Sequence, residues 1–548
     1  MAVVLAALLT VGTLAACAQT PPASSSTGSP TESGVTPSST PSESSAPLTP
    51  LEISIAWWNF SDATTDEEMK ADPMFQSVCK KFNITIKPVP LTWDDYTQKI
   101  QVWATSGTLP DIFSIDAVGT QYYYDWVKQG VVKLLPKDLG KYPNLKAYLD
   151  APDINAYMVD GQYTMLPRKT YSDMHYDVVQ RAIIYRWDWA QAAGITEEPD
   201  TFDDFTNMLK AVIQKDPAGT HPVGLTFTSK GNIGGFFWTY SNPHAAWNDW
   251  IKEDGKFVPA FFADSKVLPS LENMKKMYDA GVIDKDLPNL KGDMAKDKFT
   301  SNKAIAIQQA NGPEIVTTGY KIAWSKMNPG KKITDCVKML KPLKNPVDGN
   351  RYMAVFGTFW SESYISASVS DEKLERILQL YDWLVSEKGM DAKRFGMEGV
   401  DFKKSGSDYT ILDDSYISGG EVQKYPAWSQ TFPGLVTWDS EWTYDPANST
   451  NNFGAEDEDK EWKKSSLEWL DWCRENTVIP EYYPQITAMS TPLKDKFVYK
   501  EYEELLKVML SKDPVDKTWN EIVEGYKAKG LDKMIEEVNA EAQKQGIN

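Results

Sequence analysis

The chain has 548 residues, a formal net charge of −19, 12% aromatic residues including 20 Trp, and 3 His. So acidic a surface argues against nucleic acid, whose phosphates need a basic face, and against broad contact with anionic lipid. The length exceeds what one core can bury and predicts two or more domains.

Met1 to Ala16 form an apolar run ending in Leu14-Ala15-Ala16-Cys17. A bilayer-spanning helix needs about 20 apolar residues, more than precede Cys17. Leu14-Ala15-Ala16 is compatible with an ordinary secretory cleavage site. Small residues leading directly to Cys17 favour another reading, because they resemble the lipobox of bacterial lipoproteins. That resemblance implies cleavage of residues 1–16 and lipidation of Cys17. No Lys or Arg precedes the run, so the signal is expected to begin upstream of Met1. Residues 17–50 are mostly Ser, Thr, Pro, Ala and Gly, too poor in apolar surface to offset ordering entropy, and read as an extended tether.

Leu51 to Trp58 alternates, then turns apolar, and predicts a first strand. Thr92-Trp93-Asp94-Asp95 resembles a capping box; Tyr96, Ile100 and Trp103 follow at helical spacing, and Gly107 ends that helix. Pro110 to Ile115 reads as a buried strand, so the early chain is α/β. Thr201 to Asp204 opens a second capped helix with Phe202, Phe205, Leu209, Val212 and Ile213 on one face. A third face joins Leu268, Leu271, Met274, Met277 and Tyr278 before Gly281. A fourth runs from Asp371 to Lys388 with Gly389 as its stop. Lys494 to Asn548 is helical with charged outer faces. No internal repeat is present, and no later apolar stretch is long enough to span a bilayer.

Catalytic signatures are missing. His175, His221 and His244 stand in no H-E-x-x-H pattern, and no Cys pair has zinc spacing. There is no phosphate loop and no G-x-S-x-G elbow. Cys79, Cys336 and Cys473 allow at most one disulfide; three buried thiols fit equally. The positive signal is aromatic. Trp57-Trp58, Tyr122-Tyr123-Tyr124, Trp238-Thr239-Tyr240, Phe359-Trp360, Trp428 and Trp438 fall in loop-like contexts. Ligands of α/β domains bind beyond strand carboxyl ends. Sugar rings stack their C–H faces on indoles, although Trp fills cores equally well. Together these residues predict a wide aromatic cleft. The loop Lys215 to His221 is a poor calcium loop, with Pro217 and Ala218 at ligand positions. No metal or other cofactor is therefore expected.

Several segments, in order, resemble the substrate-binding lipoproteins of ABC sugar importers, in the long branch of that family. Ser106 to Ile112 is similar to "sGdlPDi", and Asp160 to Arg168 to "DGKyYalPr". Ile184 to Trp189, Gly194-Ile195, Pro199 to Phe205 and Asp216-Pro217 are similar to "lyiRkDWLdklGl…PkTwdEf…DP". Tyr278 to Asp284 is similar to "lYkeGLid", and Gly396 to Phe402 to "GiEGvdY". Ser490-Thr491-Pro492 and Trp519 to Asn539 are similar to "sTP…w…gG…i…vN". Arg186-Trp187 departs from the usual "Rk" without a ligand meaning.

The resemblance implies an α/β, two-lobed periplasmic-binding-protein-like fold (type II), with an interlobe ligand cleft and extra C-terminal helices. Lobe one would hold 51–170 and 345–390, and lobe two 171–344 and 391–548. Crossings are expected near 168–176, 340–346 and 389–395. In the cleft, Trp57, Trp58, Trp238 and Trp360 would be stacking platforms. Asn59, Asp116 and Asn311 would bond hydroxyls, Arg168 would bond a hydroxyl or a carboxylate, and Glu398 belongs to the "EG" motif. The implied function is capture of an oligosaccharide by a monomer and delivery to ABC permease subunits, from a lipid anchor on the outer face of the bacterial membrane. A secreted glycoside hydrolase, a peptide receptor and a sugar receptor for a sensor kinase are the competing readings.

Overall fold

In the computed structural model the described residues are 48–58, 60, 66–92, 94–169, 181–228, 232–244, 249–290, 293–308, 316–355, 357–413, 424–437 and 457–547. The signal, Cys17 and most of the tether therefore lie outside the described residues, as do Asn59, Asn311 and Trp438.

Strands come in chain order as β1 (Leu51–Trp57), β2 (Ile84–Pro90), β3 (Ile112–Ile115) and β4 (Leu166–Lys169). Next are β5 (Ile183–Arg186), β6 (Val223–Phe227), β7 (Trp250–Glu253), β8 (Lys256–Pro259), β9 (Ala304–Gln308) and β10 (Val337–Met339). β11 (Phe359–Ile365), β12 (Phe402–Ser405) and β13 (Asp408–Ile411) follow. The first sheet has the order β2-β1-β3-β11-β4, with β1 parallel to β2 and β3, and β11 antiparallel to β3 and β4. The second has the order β10-β5-β9-β6, in which only β6 and β9 are parallel. A 2-1-3 order joined by a late antiparallel strand is the type II pattern expected.

Helices cover these sheets, and local chemistry sets their ends. The Thr201–Asp204 capping box is present in both halves and starts the helix Phe202–Lys215. The Thr92 box is half made: Asp95 accepts from the Thr92 N–H, but the helix Tyr96–Ser106 starts after Asp95 and ends at left-handed Gly107. Gly389 does not stop a helix. The helix Asp371–Leu384 ends before it, and Ser386 caps a second helix, Glu387–Phe395. Gly389 sits where the two helices turn, and a Cβ there would strike the Trp383 and Leu384 carbonyls. Tyr122 to Tyr124, expected in a loop, lie in the helix Gln121–Gln129, capped by Thr120. At the C-terminus the helices Glu501–Leu510, Val515–Ala528 and Leu531–Lys544 bear out the helical expectation.

The buried cores redraw the lobes. One core joins Ile53 to Leu166 with Phe359 to Val436. The other lobe packs Ala182 to Ala354 with Trp462 to Ala542 around two clusters. Met353 and Ala354, expected in the first lobe, pack in the second. Tyr425, Trp428, Phe432 and Leu435, expected in the second, fill the first. The second crossing thus falls between Ala354 and Phe359, and the third after Val436. The physical reason is β11: it completes the first sheet, and the helix Pro426–Thr431 then packs under β1, where Asp72 accepts from the Trp428 N–H. Cys79, Cys336 and Cys473 are free and buried.

Candidate ligand cleft

In the first sheet the chain order reverses about β1, which lies between β2 and β3, so a crevice forms beyond the carboxyl ends of β1 and β3. Trp58 follows β1 there and Asp116 follows β3. The antiparallel β11 brings its start to the same end, because Glu362 pairs with Ile115 and Phe359 with Lys169. A β-bulge between Phe359 and Glu362, with Ser361 in the left-handed region at φ 61°, aims Trp360 out of the sheet.

Trp58 packs against Trp57 and Trp360, each at 5.7 Å between ring centroids, and against Tyr96 at 5.1 Å. Trp58 is buried, whereas Trp360 is half-buried. The Arg168 guanidinium lies 4.7 Å from the Trp57 ring centre and 4.9 Å from that of Trp58. It donates to Ser361 Oγ at 2.7 Å and to the Gly434 carbonyl. Arg168 is therefore a buried brace behind the aromatic wall. It holds the bulge in place and is not a cleft-facing cation.

Asp116 is solvent-exposed, yet protein surrounds it closely enough that desolvation raises its carboxyl pKa, while a hydrogen bond with the Trp360 side chain works the other way. Exposure combined with desolvation marks a group inside a concavity. Tyr122 donates to the Asp116 carbonyl at 3.1 Å. Behind Asp116, Glu362 is fully buried. Its Oε1 accepts from the Ala117 and Val118 N–H groups at 2.7 and 3.0 Å and from Tyr364 at 2.7 Å. Burial, and then the charge of Asp116, push Glu362 up to about 8.

Other expected platforms go elsewhere. Trp57 is 1% exposed, donates to the Gln430 carbonyl, and presses its ring against Gly434. It is a core residue. Trp238 is buried beside Phe237 in the second core, and Trp428 is wholly buried in the first. Glu398 is exposed and forms a bridge to Phe402 at the β12–β13 hairpin, apart from the Trp58 cluster. The structure thus gathers Trp58, Asp116, Arg168 and Trp360, and separates Trp238 and Glu398 from them.

A family model of the bacterial extracellular solute-binding protein matches residues 61–390. The chain belongs to that family. Lipoprotein LipO of Bacillus subtilis (strain 168) is 25% identical over 338 residues, 60% of this chain and 64% of LipO, so the match spans just under two thirds of that relative. The solved alginate-binding protein AlgQ2 without calcium ion has a TM-score of 0.67 at 17% identity, over 90% of this chain and 97% of its own. An EF-hand mutant of the Streptococcus pneumoniae ABC-transporter substrate-binding protein FusA, in complex with fructo-nystose, has a TM-score of 0.61 at 17% identity, over 91% and 100%. These structural likenesses are of fold, and the fold is that of two-lobed binding proteins.

In this solute-binding protein the lobes also touch beside the cleft. Tyr124 donates to the Ala488 carbonyl at 3.0 Å, and the short helix Pro152–Asn155 packs against Pro484–Ala488. Burial, then Tyr124, Tyr123 and Glu362 of the same lobe, raise the Tyr157 hydroxyl, and Tyr482 of the second lobe adds the smallest contribution. In the loop after Phe202–Lys215, the Asp216 carboxylate accepts from the Thr220 and His221 N–H groups and pairs with the His221 ring at 3.1 Å. Its oxygens serve the loop's own backbone.

Sequence reasoning missed Tyr96, which packs on Trp58, and Glu362, buried behind Asp116. Tyr96 was legible only as a helix-face residue. Glu362 carried no signal at all, since only the β3–β11 pairing places it behind Asp116.

Proposed function

We propose that the protein captures an oligosaccharide in the aromatic interlobe cleft and delivers it to ABC permease subunits. The reading includes a lipid anchor at Cys17 on the outer face of the membrane, a monomeric receptor and no bound metal. One observation carries it: Trp360 and Asp116, bonded to each other at the switch point of an α/β sheet, set an aromatic face beside an exposed hydroxyl acceptor. Closure by hinge bending favours the ligand only as far as the closed lobes contact it better. The tether raises the effective concentration near the permease.

Burial of Arg168 under Trp57 and Trp58 leaves carboxyl and phenol groups on the described first-lobe wall, which supports an uncharged, hydroxyl-rich sugar. Hydrolysis is disfavoured by Glu362. A glycosidase needs two carboxyls facing one sugar bond about 5–10 Å apart. Here the carboxyl beside Asp116 is fully buried and tied to three donors. The test is a melting and titration panel of neutral and uronate-containing oligosaccharides, with the sugar analysed afterwards. A neutral oligosaccharide that binds and is recovered intact is the expected result. No shift with any sugar, or cleavage, overturns the reading.

A further inference from the structure

Behind the exposed Asp116 the first lobe buries a second carboxyl. Glu362 is 0% exposed, and the bonding of its two oxygens is uneven. Oε1 accepts from the Ala117 and Val118 N–H groups and from the Tyr364 hydroxyl. Oε2, equally buried, has no partner in the protein. No basic side chain pairs with Glu362 among the described residues, and the charge that acts on it most is that of Asp116.

Two carboxyls that share a site without a cation cannot both ionise near neutrality, so the pair titrates as a unit and holds one proton. Three donors already fill Oε1, which leaves Oε2 to carry that proton. The charge then stays on Asp116, the half of the pair that faces solvent. The other titratable groups around Glu362 are Tyr96, Tyr122, Tyr123, Tyr157 and Tyr364. Burial raises each of these phenols, so they stay neutral while the carboxyls titrate.

Asp116 is also the half that a ligand reaches. With a sugar in the cleft, a hydroxyl donates to its carboxylate and the closing second lobe displaces the water around it. That water screens Asp116 from Glu362, and their repulsion grows as the local dielectric falls. A second charge, on Glu362, therefore costs more in the complex than in the free protein.

We propose, resting on the sugar-binding reading of the cleft, that capture of the sugar draws a proton onto Glu362, which acts through Asp116 as a positioning residue and ties affinity to pH. The sign follows from linkage. Glu362 holds its proton to higher pH in the complex, so affinity is full while both forms are protonated and falls as pH rises beyond about 8. A neutral sugar brings no group that titrates there.

Calorimetric titration of the full chain with neutral trisaccharides of glucose, mannose, galactose and fructose tests this, at about pH 7 and about pH 9, each in two buffers of unlike ionisation heat. A rise of about one unit in the Glu362 pKa on binding makes affinity about fivefold weaker at the higher pH. It also draws about 0.4 proton per sugar from the buffer there, against less than about 0.1 at the lower pH. Glu362→Gln keeps an acceptor for the three donors but cannot titrate, and should bind equally well at both pH values with heats that ignore the buffer. Asp116→Asn removes the like charge and should shrink the uptake. Wild-type heats that do not depend on the buffer overturn the proposal and leave the cleft reading standing. The same uptake in Glu362→Gln also overturns it, and assigns the proton to Lys494, whose ammonium is lowered by burial to about 8 while it bonds the Thr487 and Met489 carbonyls at the lobe contact. If no trisaccharide binds at either pH, the cleft reading falls and this proposal with it.

Discussion

Trp360 and Asp116 are residues whose identity is function, whereas Trp57 and Arg168 have identities set by support. Trp57 fills the core at the end of β1, and its neighbour Trp58, just past the strand, packs against the half-buried Trp360. Trp360→Ala should cost about 1–2 kcal/mol of ligand binding, as for an aromatic anchor, with the fold intact; calorimetric titration reads it directly. Glu362 supplies a pH signature. Its folded pKa is raised from 4.5 to about 8, so the folded state holds a proton that the unfolded chain has released. Stability from this group is present at low pH and is lost as pH rises through that window. The wild-type melting temperature should therefore fall more steeply than that of Glu362→Gln between the ordinary carboxyl range and about pH 8. Parallel curves would rule this out.

Among the elements, the bulge in β11 does most to shape the cleft, because it turns Trp360 outward while Arg168 holds Ser361 from behind. The segment Pro426 to Val436 is its counterpart beneath. Gly434 is required there, since a Cβ would collide with the Trp57 ring, and its carbonyl accepts from Arg168. Gly434→Ala should destabilise the first lobe by about 1–3 kcal/mol through overpacking. A chemical-denaturation midpoint measures this, and an unchanged midpoint would contradict the packing account. Capping chemistry was legible in the sequence where it is local: the Thr201 box needs only residues three apart. Gly389 was misread because a glycine that ends a helix and one that permits close approach look alike until the second helix is present.

For the whole molecule, a ligand that binds only the folded protein makes ligand binding and stability one measurement. A sugar at about 100 times its Kd should add ~2.7 kcal/mol of stability, visible as a higher melting temperature. The Tyr124 bond to Ala488 joins the lobes directly. Tyr124→Phe should lower ligand affinity by about 0.5–1.5 kcal/mol and raise the radius of gyration of the unliganded protein in X-ray scattering, with each core still intact. An unchanged radius and affinity would show that this contact does not bias the lobes.

The amino-acid sequence by itself determined the α/β alternation, the Thr201 capping box and the family, and it named nine cleft residues, of which the structure gathers Trp58, Asp116, Arg168 and Trp360 and separates Trp238 and Glu398. Each is carried by short-range pattern or by ordered motifs. Tertiary structure alone decided which Trp face a cleft, that Arg168 is a brace, that Glu362 stands behind Asp116, and that residues 425–436 belong to the first lobe. An indole or a guanidinium is equally at home in a core or at a site, and a strand position acquires its neighbours only when distant strands pair. The N-terminal segment and the cleft thus belong to different kinds of inference: the first is written along the chain, and the second exists only where β1, β3, β4 and β11 converge.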